Sequence, residues 1–127
     1  MKVLLVVLAV GVLTPALAVA CGACAEDKMA ATYDYTVVQT AVAQKRQVVF
    51  CDVQGRVQQE RLRQAAAQVA GIDPTSIRTS AEPSALSFAL DTKVQSADAA
   101  VAQIRTRLDN KVQVIVLKGL SVPGVAN

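Results

Sequence analysis

Hydrophobic positions change their period along the chain, and the changes mark out the elements. In the stretch 47–53, Gln-Val-Val-Phe-Cys-Asp-Val is β-branched and aromatic and closes on Gln54-Gly55, which predicts a strand. Val48 and Phe50 point one way and Val49, Cys51 and Val53 the other. Both faces of this strand are apolar, whereas a one-sided sheet would show polar residues on its second face, so something covers that face. Between residues 56 and 70, Leu62, Ala65, Ala66 and Val69 form a helical stripe with Arg and Gln outside, and Gly71 followed by Asp73-Pro74 predicts its end. A short strand is expected over 76–80. Leu86, Phe88 and Leu90 then alternate with Ser87, Ala89 and Asp91, the pattern of a half-buried strand. Ser96 is a candidate N-cap, and Ala97, Val101, Ile104 and Leu108 give the clearest amphipathic helix in the chain. Residues 111–117 predict a last strand, with a frayed tail from 118 to 127.

Ahead of these elements, Ala30, Tyr33, Val37 and Ala41 recur at helical spacing and predict one weak helix over 29–43. Glu26 and Asp27 suit the positive end of its dipole, and Lys45 and Arg46 the negative end. Asp27, Lys28, Asp34 and Tyr35 would then share a helical surface, read here as a solvated face. If this helix covers the strand face that holds Cys51, the strand thiol approaches Cys24.

From residue 47 onward the order is strand, helix, strand, strand, helix, strand. Two βαβ units sharing one sheet with right-handed crossovers predict an α+β fold, a ferredoxin-like βαββαβ sandwich with an extra N-terminal helix. Residues 47–117 resemble the heavy-metal-associated domains of copper chaperones and metal pumps: Ala70-Gly71-Ile72 matches their turn before the second strand, and 85–91 with 96–108 their third strand and second helix. That resemblance implies the fold. It does not carry the family's ligands, because the loop that holds Met-x-Cys-x-x-Cys there reads Asp52-Val53-Gln54-Gly55-Arg56-Val57 here.

The first twenty residues change the picture of where the domain works. Lys2 is the only charge before Glu26, and 3–13 is an apolar run shorter than the ~20 residues that span a bilayer. Thr14-Pro15 follows, and then small residues at Ala16, Ala18 and Ala20, which together predict a signal peptide over 1–20 and export to the periplasm. The remaining division is a Cys-x-x-Cys segment with its helix over 21–46, a domain over 47–118 and a tail over 119–127. Cys21 becomes the first mature residue. Leu17 lies four residues before it, where lipoprotein signals place Leu three before, so the match is partial and membrane attachment follows only if Cys21 is lipidated.

Composition narrows the chemistry. The charge is modest, +3 for the whole chain, with no basic run and no Trp, which gives nucleic-acid binding no footing. Histidine is absent, which excludes Ser-His-Asp and Cys-His catalysis and Cys₂His₂ zinc sites. No catalytic residues are assigned, and the chain reads as a non-enzyme. Cys21, Cys24 and Cys51 are the candidate metal ligands. Two thiolates three positions apart suit a soft ion of low coordination number, so copper(I) fits better than Zn(II), which wants four donors. Met29 offers a thioether but reads better as a core residue. On this reading the protein buffers the ion or transfers it to a partner protein. The alternative is a structural or partner-binding domain in which a Cys24–Cys51 disulfide contributes about 2–4 kcal/mol and Cys21 is free or lipidated. A thiol oxidoreductase ranks third, because the pair would hang at the mature terminus instead of being fixed by a βα turn.

Overall fold

The computed structural model describes residues 24–121. Within them the order is α1 (Ala25–Thr32), α2 (Tyr35–Ala43), β1 (Gln47–Gln54), α3 (Gln59–Ala67), β2 (Arg78–Ala81), β3 (Ser84–Leu90), α4 (Ala97–Thr106) and β4 (Gln113–Leu120), with a 3-10 turn at Pro74–Ser76 before β2. The fold is α+β, built on a four-stranded sheet of order β2-β3-β1-β4 in which every neighbouring pair is antiparallel. This arrangement is compatible with the ferredoxin-like order. The stretch 1–20, expected to be a signal peptide, lies outside the described residues, among which no helix is long and apolar enough to cross a membrane.

Several boundaries differ from expectation for physical reasons: the short strand expected over 76–80 is Arg78–Ala81, because Asp73 caps a 3-10 turn over Pro74–Ser76. The single helix expected over 29–43 is two short ones, because Tyr33 and Asp34 take extended backbone and the Asp34 carboxylate caps α2 by accepting from the N–H groups of Thr36 and Val37 at 2.9 and 3.3 Å. The helix expected over 56–70 keeps only Gln59–Ala67, and the chain then turns through Gly71 at φ +91°. The last strand runs beyond residue 117: Lys118, Gly119 and Leu120 pair with Phe50, Val49 and Val48 after a bulge between Phe50 and Cys51. These residues belong to the sheet and not to a tail.

The sheet is covered on both faces, unequally. α3 and α4 pack on one face over a core of eighteen buried residues that includes Val49, Cys51, Val53, Leu62, Leu86, Phe88, Ile104 and Val114. On the other face the buried cluster is Val48, Phe50 and Ala89 under Ala41, with Met29, Val38 and Leu120 partly buried around it. The expected assignment of faces is thereby reversed. The N-terminal helices lie over Val48 and Phe50, and the face carrying Cys51 belongs to α3 and α4. The stripes of α3 and α4, with Leu62, Ala65, Ala66, Val101 and Ile104 all buried, demand the larger apolar face. α1 and α2 bury only Thr32, Val37 and Ala41.

Candidate functional site

Cys24 is the residue from which α1 springs. It holds the N-cap position with extended backbone (φ −70°, ψ 161°), its carbonyl accepts the Lys28 N–H at 3.1 Å, and it is exposed, as are Ala25, Glu26 and Asp27 after it. The first turn of a helix presents N–H groups without intrahelical partners, and Cys24 stands at the start of this one. Glu26 and Asp27 add negative charge to the same turn. Cys21 lies outside the described residues.

Cys51 is in a different environment. It pairs with Leu86 on one side and Val116 on the other, is 1% exposed, and sits inside the core beneath α3 and α4. Burial, with a smaller contribution from the neighbouring Asp52 carboxylate, pushes its thiol from 9.0 up to about 12, so it stays protonated throughout the neutral range. Its sulfur is free. The expected convergence of Cys51 on Cys24 and the Cys24–Cys51 disulfide are therefore both absent: the helix that carries Cys24 lies on one face of the sheet and Cys51 points into the other. Among the described residues no three His, Cys, Asp or Glu side chains gather as metal ligands. Met29 packs against the smaller apolar cluster, as a core methionine does.

Sequence reasoning missed the polar groups that set α1 in place. Lys28, one turn after Cys24, forms an ion pair with Asp52 of β1, and both side chains are largely buried, at 17% and 11% exposure. Asp52 also accepts from the Gln54 amide at 3.1 Å. The signal was present in the strand itself, where Asp52 is the one charged residue in an otherwise apolar run and required a cation from whatever covered it. At the far end of α1 the Ser87 hydroxyl donates to the Thr32 carbonyl at 3.1 Å. Asp34 is not on a common helical face with Asp27: it sits at the corner between the helices and binds the Arg78 guanidinium of β2 at 3.0 Å. That hydrogen bond, followed by the Val37 N–H, lowers the Asp34 carboxyl below its ordinary 3.8.

The loop that would carry a metal motif in the resembled family is built differently here. Gly55 at φ +99° allows a close pass, where a Cβ would meet the Lys111 carbonyl oxygen at 2.6 Å, and the cleft beyond it is lined by Arg56, Val57, Gln58, Arg61, Asp109 and Val112 with no thiol. A second cleft of about 100 Å³ lies under α2 between Thr36, Thr40 and Gln44 and the opposing Asp73, Thr75 and Arg78. No protein-family model matches the chain, and no curated protein or solved structure is detectably similar to it. The heavy-metal-associated resemblance thus rests on the order of elements, and the candidate site rests on Cys21 and Cys24.

Proposed function

We propose that the protein is an exported, non-catalytic domain with a ferredoxin-like sandwich that binds a soft metal ion, copper(I) best, through Cys21 and Cys24. It holds the ion or passes it to a partner protein. One observation carries this reading: Cys24 stands exposed at the start of α1 while Cys51 is sealed in the core, so any thiolate chemistry falls to the terminal pair. Two thiolates without histidine suit the low coordination number of Cu(I), and the α1 amino end favours the ionised sulfur. Lipidation of Cys21 would hold the same domain at a membrane surface.

Titration of the reduced mature chain with Cu(I), followed by thiolate-to-metal absorption, tests the proposal. A saturable response that vanishes in Cys24→Ser and persists in Cys51→Ser is expected. A silent wild type refutes metal binding. In that event a partner-binding domain is the better reading, favoured by the exposed Tyr33, Tyr35 and Val42 of the N-terminal layer.

A further inference from the structure

The two layers that cover the sheet are held by different means. α3 and α4 are fastened by a continuous apolar core of eighteen buried residues. The α1–α2 layer contributes Ala41 alone to the four buried members of the opposite cluster, with Met29 and Val38 at its margin. It adds no strand to the sheet. Its fastenings are polar and specific: Lys28 to Asp52, Asp34 to Arg78, and the Ser87 hydroxyl to the Thr32 carbonyl. Thr32 is buried at the corner between the two helices with its hydroxyl oxygen unpartnered, so docking this layer leaves one polar group unsatisfied.

The junction with β1 is a defined pivot. Lys45 has a positive φ of 57°, and the Lys45 and Arg46 N–H groups close back on the Val42 and Ala41 carbonyls at 3.1 and 2.8 Å, ending α2 as a unit. Arg46 is itself anchored to Asp73 at 3.1 Å, on the 3-10 turn side of the sheet. Among the described residues, α1 and α2 before Lys45 pack through Met29, Val38 and Ala41 on the thin cluster, and β1 after it enters the sheet.

We propose that α1 and α2 form a strap that opens from the sheet as one cooperative unit while the sheet, α3 and α4 stay folded, with the Lys28–Asp52 and Asp34–Arg78 ion pairs as its latches. Regions with few buried apolar contacts are the ones that open below the global unfolding limit. The strap ends at Cys24, one helical turn ahead of the Lys28 latch, so whatever binds or crosslinks the terminal cysteines acts on the element that moves. The inference does not depend on which ligand those cysteines take.

Native-state hydrogen exchange on the reduced full chain in a series of low denaturant concentrations tests it. Amides of α1 and of Val37, Val38, Ala41 and Val42 should share one opening free energy and one shallow denaturant slope, exchanging at least about tenfold faster than those of Val49, Phe88 and Ile104. Lys28→Met and Arg78→Ala should each raise exchange in the strap several-fold and leave the β1, β3 and α4 amides unchanged. Strap and core amides that share one free energy and slope, in the wild type alone, would overturn the proposal. So would strap amides that scatter residue by residue without a common slope.

Discussion

Cys51 carries a thiol that cannot ionise without opening the core, and this has an alkaline consequence. Its folded value of about 12 stands above the ordinary 9.0. The protonated thiol therefore contributes stability that is fully present below pH 9 and is lost as pH rises through the interval up to about 12. At pH 10.5 the loss amounts to about 2 kcal/mol, from 1.36 kcal/mol per pH unit. Denaturant unfolding at pH 8 and pH 10.5 should show it in the wild type and not in Cys51→Ala. At the same scale, Lys45 holds the left-handed position of the α2 terminus, a conformation that costs a side chain and suits glycine. Lys45→Gly should raise stability by about 0.5–1 kcal/mol in thermal or denaturant unfolding. Neither feature was legible residue by residue. A strand with two apolar faces does not say which face meets which helix, and in the sequence Lys45 shows only as a charge at a helix end.

Among the elements, the corner between α1 and α2 is sensitive to acid. The Asp34 carboxyl lies below its ordinary 3.8, chiefly because Arg78 hydrogen-bonds its ionised form. A group lowered in this way contributes stability above its unfolded value and loses it as pH falls through the folded one, so the corner loosens only below about pH 3.8. Tyr33 and Tyr35, the two tyrosines of the chain, flank Asp34 and report on it. Their near-ultraviolet circular dichroism should change in that acid window, and Asp34→Asn should already show the altered signal at neutral pH. The opposite layer is expected to behave as an ordinary core, in which Phe88→Ala costs about 3–5 kcal/mol. The helical stripes around Leu62 and Ile104 were legible because one face of each helix is buried; the alternation at Leu86, Phe88 and Leu90 located β3, but that strand is buried on both faces and not half-buried, since Ser87 and Ala89 lie beneath the N-terminal layer. The break at Tyr33–Asp34 was not, since apolar spacing runs through it and only the capping chemistry of Asp34 separates the two helices.

For the whole molecule, the order of elements in the sequence was enough to anticipate the antiparallel sheet, because short connections and right-handed crossovers leave few ways to arrange two βαβ units. The placement of the N-terminal layer was open, because Val48 with Phe50 and Val49 with Cys51 and Val53 offer two apolar faces of the same strand. Packing resolved it in favour of the broader stripes of α3 and α4, and with that choice Cys51 passed from candidate ligand to core residue. Metal binding therefore depends on the terminal pair acting without the strand thiol. X-ray absorption of the reduced mature chain loaded with one equivalent of Cu(I) measures this directly. Two sulfur neighbours around copper, unchanged in Cys51→Ser, are expected; three sulfur neighbours that fall to two in that variant would overturn binding by the terminal pair alone.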